Sequence, residues 1–349
     1  EVSTAMIFGL FALMFLDTSI NMAMQPFKMM VGDMVNEKQK GLAYSIQSFL
    51  CNAGSLVGYL FPFIFAWIGI QNTAAQGVIP DSVIYSFYIG AVTLILCVIY
   101  TTVKVKEMPP KEYAEYHGIS ENEKKEKTNM LKLLVKAPKA FWTVGLVQFF
   151  CWFAFMFMWT YTNGSIAANV FDAPTVETVV NGAKKVLLDT TSLQYQEAAN
   201  WVGVLFAVQA IGSVLWAICI PMFKNRHLVY SLSLILGGIG FISTYFIHNQ
   251  YALFISFILI GCAWAAMLAL PFTILTNSLS GGHMGTYLGL FNGTICIPQI
   301  IAAALGGSIL SLFTPEGCLP PEINMLVTAG VMLIIGAACV YIIKEGKDS

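Results

Sequence analysis

Residues 4–30 read TAMIFGLFALMFLDTSINMAMQPFKMM, an apolar run with one acid, Asp17, at its centre. Thirteen residues flank Asp17 on each side, so at about 1.5 Å per residue a helix places it roughly 20 Å from either end, near the bilayer midplane. A carboxyl at that depth costs about 2.5–3.5 kcal/mol on insertion scales, and desolvation favours its protonated form. No other apolar run carries a charged residue so deep. We interpret Asp17 as a proton-coupling site; the alternative is a helix-packing carboxyl bonded to a neighbour.

The composition is that of an integral membrane protein. Hydrophobic residues make up 57% of the chain, charged residues 11%, and the mean hydropathy is +0.72. Long continuous apolar runs predict helices, because a membrane barrel consists of short alternating segments. Nine helical spans are predicted, at 4–30, 42–69, 83–103, 140–162, 199–222, 227–247, 251–276, 285–313 and 322–343.

The basic residues indicate the orientation of the spans. All of them except Lys184 and Lys185 follow the first, third, fifth and ninth spans. The positive-inside rule therefore places residues 104–139 and the C-terminus in the cytoplasm and Glu1 outside. We expect a multi-pass protein of the plasma membrane, or of the inner membrane in a bacterium.

The long basic segment 104–139 separates three spans from six. The sequence therefore predicts a partial N-terminal bundle at 1–103, a cytoplasmic linker at 104–139 and a six-helix bundle at 140–349. If both halves have six helices, as in many transporters, three N-terminal helices are missing from this sequence. Within the linker, the amphipathic stretch 130–135 predicts a short helix on the cytoplasmic face, and the external segment 164–198 is expected to be a surface loop or a cap.

Short motifs of polar residues, Gly and Pro occur in order along the spans. They are LDTSIN at 16–21, QPFK at 25–28, GD at 32–33, NAG at 52–54, GY at 58–59, LPF at 270–272, GTYLGLFN at 285–292 and PQ at 298–299. These motifs resemble those of sucrose/proton symporters and their solute-carrier relatives in the major facilitator superfamily. The first span and its loop resemble the fourth helix of that family, and later motifs resemble its fifth, tenth and eleventh helices. The resemblance covers nearly the whole chain in order and implies the major facilitator fold.

The resemblance also implies roles for residues of the first span. Asp17 matches the acid that the family is thought to use for proton coupling. Lys28 stands where the family usually has Arg, and Asp33 matches its loop acid, so both are candidate gating residues. Pro26 joins them because it removes a backbone hydrogen bond to Met22 and favours a kink; a purely structural kink is the alternative.

Polar side chains form stripes at helical spacing on the apolar spans. Most of them are amides, which suit the hydroxyls of a neutral sugar better than an anion, since an anion would require Arg or Lys. On the fourth span, Gln148, Trp152 and Trp159 share a face, and indole rings stack on the C–H faces of sugars. Trp159 is equally compatible with an interfacial anchor, and Asn52 with interhelical hydrogen bonding. The candidate substrate-binding residues are Asn21, Gln25, Asn52, Gln148, Trp152, Gln209, Asn292 and Gln299.

Other functional classes lack a signal in the sequence. The four histidines fall in loops or at span ends, and seven of the eight cysteines fall inside apolar runs, so no metal site or disulfide framework is predicted. The chain contains no GxxxxGK[ST] phosphate loop, no buried acid–base pair and no nucleic-acid-binding pattern. We therefore expect neither an enzyme nor a cofactor.

Together these features predict an all-α polytopic transporter, a monomer in the lipid bilayer. It would move a disaccharide or other glycoside with a proton by alternating access. Sodium-coupled or facilitated sugar transport is the nearest alternative. A sensor or scaffold that has kept the fold without transport is an alternative of another class.

Overall fold

The structure is a computed structural model, and it describes residues 4–34, 37–72, 78–106, 109, 112, 115, 130–180, 183–223, 225–278 and 284–343. Within these ranges, nine helices are long and apolar enough to cross a membrane. The nine predicted spans and the short helix at 130–135 are therefore confirmed.

Eleven α-helices follow one another in the described residues. They are α1 (Thr4–Met34), α2 (Glu37–Trp67), α3 (Asp81–Lys104), α4 (Met130–Val135), α5 (Lys139–Asn169), α6 (Leu193–Cys219), α7 (Arg226–Ser243), α8 (Leu253–Ser278), α9 (Met284–Phe291), α10 (Gly293–Phe313) and α11 (Ile323–Cys339). Short 3-10 turns at Ile220–Met222 and Val340–Ile342 extend α6 and α11. The run predicted at 285–313 thus consists of α9 and α10, which are separated at Asn292.

The chain divides into two compact units. The first comprises Glu1–Cys51 and Val92–Glu126, and the second comprises Asn52–Ala91 and Lys127–Ser349. The division falls inside α2 and α3, so the domains expected at 1–103, 104–139 and 140–349 stay a prediction. In the first unit, large apolar side chains such as Phe8 and Tyr100 are exposed. Its polar groups bond to their own helix: the hydroxyl of Thr18 donates to the Met14 carbonyl at 2.7 Å, and that of Ser19 to Phe15 at 2.7 Å.

The second unit is built around α5. This helix packs against α10 and α11, while α8 packs against α6 and α7, and α7 also packs against α11. Residues from all round α5 are buried, including the consecutive residues Cys151, Trp152, Phe153 and Ala154. A helix that is buried on every side forms the core of its bundle.

Glycines allow α6 and α8 to approach closely. A Cβ atom built at Gly212 would lie 2.8 Å from the Ile258 carbonyl oxygen, and one at Gly261 would overlap the Gln209 carbonyl oxygen. Both clashes involve backbone, which a change of rotamer cannot relieve. Glycine at these positions is therefore required for the close packing of α6 and α8.

A β-hairpin connects α5 and α6. Strand β1 (Thr175–Val180) pairs with β2 (Ala183–Leu188) in antiparallel register, with Thr175 opposite Leu188. The sequence predicts a surface loop or a cap from 164 to 198, whereas in the structure α5 continues to Asn169 and α6 begins at Leu193. The extension of α5 is stabilised because Ser165 donates to the Tyr161 carbonyl and Asn169 to that of Ser165. We call this end of the second unit the hairpin end and the opposite end, where α5 begins, the linker end.

The close α6–α8 packing predicts a specific loss of stability. Gly261→Ala places a methyl group against the α6 backbone and is expected to lower the free energy of unfolding by about 1–3 kcal/mol. Gly307→Ala is the control, because a Cβ at Gly307 meets nothing within 4 Å and both changes gain helix propensity. Thermal unfolding in detergent measures the difference; equal stability of the two variants would contradict the packing.

Candidate functional site

Three indoles meet between α5 and α8. The ring centroids of Trp152 and Trp159 are 6.4 Å apart, and the Trp264 centroid lies 5.8 Å from each of them. We call Trp152, Trp159 and Trp264 the indole cluster. Trp152 is only 8% exposed, whereas Trp159 is 41% exposed. The cluster therefore runs from the interior of the bundle to its surface.

Aromatic and small side chains hold the indole cluster in place. Phe155 lies one turn from Trp152 on α5 and contacts Trp264, with centroids 4.9 Å apart. Phe155 also packs edge-on against Phe241 of α7 at 5.8 Å. A Cβ atom at Gly237 of α7 would overlap the Ala263 side chain, so α7 and α8 meet closely beside Trp264. The indole positions are thus fixed by packing on two sides.

The indole nitrogen of Trp152 is buried without a hydrogen-bond partner in the described part of the chain. Other indoles of this unit do have partners: Trp201 donates to the Gln250 carbonyl at 3.2 Å, and Trp216 donates to the Ser233 hydroxyl at 2.8 Å. A buried donor without a partner costs about 1–3 kcal/mol. Trp152 therefore offers an N–H group to an acceptor that a ligand can supply.

Gln148 lies one helical turn before Trp152 and is fully buried. Its Nε2 donates to the Met267 carbonyl of α8 at 3.4 Å, and the Tyr230 hydroxyl of α7 donates to its Oε1 at 3.4 Å. Both bonds are long, which makes them weak. The amide thus connects α5 with α7 and α8. It lies one helical turn from Trp152, toward the linker end.

The other predicted binding residues of the second unit lie on other elements of the fold. Gln209 is buried on α6, where α6 meets α8. Asn292 separates α9 from α10, and its Nδ2 is 3.9 Å from the Cys296 sulfur. Gln299 and Asn52 are partly buried. No hydrogen bond between described residues joins the side chains of Gln209, Asn292 or Gln299 to the three indoles.

In the first unit, the Asp17 side chain is exposed on α1. Asn21 donates from Nδ2 to the backbone carbonyl of Asp17 at 2.9 Å, so this amide is engaged with the helix and not with the carboxyl. Helix α1 continues past position 26 to Met34. The side chains of the other candidates on this helix lie outside the described residues: Gln25, Pro26, Lys28 and Asp33.

Trp264 is the functional candidate that the sequence did not reveal. It stands alone among small residues in GCAWAA at 261–266, and no polar residue accompanies it at helical spacing. Its contact with Trp152 depends on the packing of α8 against α5, and the residue pattern of one helix does not predict how two helices pack. The sequence did contain one signal for Trp264, namely an isolated bulky aromatic residue in a run of small residues.

Comparison with known proteins gives a family and a fold. The model of the Major Facilitator Superfamily matches residues 2–183 and 166–349. Two solved structures of a bacterial homolog to the human lysosomal transporter Spinster, both inward-facing, are similar to the chain at 15% identity and cover 91% of it. The unoccupied form matches over 73% of its length with a TM-score of 0.52, and the occupied form over 72% with 0.49. Among curated proteins there is no significant match.

The Gln148 contacts predict that Tyr230 has a structural role. Tyr230→Phe removes the hydroxyl that donates to Gln148, so we expect the free energy of unfolding to fall by about 0.5–1.5 kcal/mol. Tyr245→Phe is the control, because Tyr245 is exposed. Chemical or thermal unfolding in detergent distinguishes the two variants. If Tyr230→Phe were as stable as Tyr245→Phe, the Gln148 amide would not depend on this bond.

Proposed function

The chain belongs to the Major Facilitator Superfamily, and from this premise we propose that it is a secondary transporter that carries a neutral sugar with a proton. The motifs around Asp17 and Asn52 favour relatives of the sucrose/proton symporters within the superfamily. Transport then follows alternating access, in which two helix bundles move about a central binding site.

The unpaired N–H of Trp152 inside the indole cluster is the observation that carries the sugar proposal. A sugar has apolar C–H faces that stack on indole rings and hydroxyl oxygens that accept hydrogen bonds. Binding at Trp152 would supply the missing acceptor and remove the cost of an unpaired buried donor. A purely apolar ligand would leave that donor unpaired, so a polyhydroxylated solute fits the site better.

The buried core of the described residues contains no charged side chain, which supports a neutral substrate. Apart from aromatic residues and cysteines, the buried polar side chains of the described residues are all Ser, Thr or Gln. An anionic substrate calls for buried Arg or Lys, which form bidentate or point-charge contacts with carboxylate and phosphate. The proposed site therefore recognises hydroxyls through amides and indoles. Besides Trp152 and Gln148, the proposed ligands are Asn21, Gln25, Asn52, Gln209, Asn292 and Gln299.

Proton coupling is assigned in this proposal to Asp17, which takes up a proton outside and releases it to the cytoplasm. The linker end and the C-terminus face the cytoplasm, and the hairpin end faces outward across the plasma membrane. One charge moving through 100 mV releases about 2.3 kcal/mol, which is enough for roughly 50-fold accumulation of a neutral solute. Pro26, Lys28 and Asp33 follow Asp17 on the cytoplasmic side, where they would gate its access.

We expect Asp17→Asn to abolish sugar accumulation driven by a pH gradient while sugar exchange continues, because the amide cannot carry a proton. Asp81→Asn, at the start of α3, is the control and should accumulate sugar normally. Uptake and counterflow of a labelled disaccharide in proteoliposomes measure the two activities. Uphill uptake by Asp17→Asn at the wild-type level would remove Asp17 from the coupling mechanism.

The same assay separates the rival functions. Accumulation that requires sodium and ignores a proton ionophore would indicate sodium coupling. Equilibration without accumulation in the wild-type protein would indicate facilitated diffusion. Sugar binding without counterflow would indicate a sensor that has kept the fold.

Trp152→Phe is expected to weaken sugar binding up to about tenfold, because it keeps an aromatic ring but removes the N–H donor. Trp142→Phe serves as the control, since Trp142 lies on the same helix and is exposed. Isothermal titration calorimetry with a panel of mono- and disaccharides gives the affinities. Equal affinities for both variants would exclude the Trp152 N–H as a sugar ligand.

A further inference from the structure

The Glu322 carboxyl packs against the backbone of α5 at the hairpin end. Glu322 directly precedes α11, and its carboxyl occupies the space beside Gly164, where a Cβ atom would overlap its oxygen. A side chain at position 164 would therefore exclude Glu322 from this place. The carboxyl is partly buried between α5 and the start of α11.

Neutral polar groups surround this carboxyl. Among the described residues, the titratable groups that interact with it are the hydroxyls of Tyr161 on α5 and Tyr195 on α6. From α10, Gly306 contacts the Tyr161 hydroxyl and brings no charge. Asn163 lies beside Tyr195, and its Oδ1 is buried without a partner among the described residues.

No described Lys, Arg or His lies within ion-pairing distance of Glu322; the ion pair recorded at this end joins Lys184 to Glu177 in the hairpin. Burial alone raises the pKa of Glu322 to about 7. Removal from water without a compensating cation disfavours the carboxylate and favours the neutral acid. The acid also has an O–H donor, whereas the carboxylate accepts only.

We propose that Glu322 is a proton-binding site at the hairpin end, where a proton on its carboxyl stabilises the packing of α11 against α5. Proton binding neutralises the carboxyl beside Gly164 and supplies a donor to a region with an unpaired amide oxygen. Loss of the proton leaves a carboxylate that is better solvated away from α5. The site is separate from Asp17, and it does not depend on the transport of a sugar.

A metal ion suits this site less well than a proton. No group of three or more His, Cys, Asp or Glu side chains that could hold a metal occurs in the described ranges. Glu322 would be the single charged ligand, whereas hard cations usually take several carboxylate or carbonyl oxygens. Replacement of sodium by choline in the experiment tests this alternative.

The direction of the pH effect follows from linkage. The pKa of Glu322 is about 7 in the folded protein against 4.5 for the free side chain. Between these values the folded state binds more protons than the unfolded state, so stability decreases as the pH rises. The loss begins near pH 4.5 and is complete above about pH 7. Above that range, the charged carboxyl reduces stability by a constant amount.

The test compares thermal unfolding of the whole chain in detergent at pH 5 and pH 8. We expect the midpoint of the wild-type protein to fall by several degrees at pH 8, and Glu322→Gln to lose most of this shift. Glu316→Gln is the matched control, because Glu316 is exposed in the same loop and should keep the wild-type shift. A full shift in Glu322→Gln, or a shift that appears only when sodium is replaced by choline, would overturn the proposal.

A second measurement uses the unmodified protein and remains decisive if Glu322→Gln fails to fold. A hydrophobic carbodiimide reacts with protonated carboxyls, so mass spectrometry should find Glu322 labelled severalfold more at pH 6 than at pH 8. Glu316 provides the internal comparison. Labelling of Glu322 that has the same pH profile as Glu316 would contradict a separate proton-binding site.

Discussion

A polar group that leaves water inside a membrane-spanning bundle must find a partner, and this constraint governs the whole structure. Helix formation pairs the backbone N–H and C=O groups with one another. Hydroxyl side chains donate to backbone carbonyls of their own helix: Thr162 donates to the Met158 carbonyl at 2.6 Å, and Ser165 to the Tyr161 carbonyl at 2.7 Å. Gln148 is paired across three helices. The exceptions are therefore informative, and two of them, Trp152 Nε1 and Asn163 Oδ1, lie on α5 at its two proposed sites.

Length and hydropathy were sufficient to predict the spans, because a bilayer admits few backbone conformations. The major facilitator fold is implied by the resemblance of the motifs and is confirmed by the family match. The hairpin was not predicted, although Asn-Gly, present at 181–182, is a frequent sequence in two-residue hairpin turns. The mixed character of residues 164–198 favoured a surface loop. The extension of α5 to Asn169 depends on side-chain bonds that hydropathy does not report.

The candidate sites were predictable only within single helices. Gln148 and Trp152 share a face of α5 at a spacing of four residues, so helical periodicity identifies them together. Trp264 and Glu322 come from other elements, and their positions depend on close packing at Gly237 of α7 and Gly164 of α5. Helix contacts of this kind depend on which small residues face each other, and a sequence without its structure does not give that pairing.

The most direct test of the sugar site is the NMR signal of the Trp152 indole N–H in protein labelled with ¹⁵N-tryptophan. Because this donor is unpaired, its resonance should move downfield when a transported sugar accepts its hydrogen bond. The resonance of Trp216, whose N–H is already bonded to Ser233, should stay in place. A bound sugar that leaves the Trp152 resonance unchanged would contradict the proposed site.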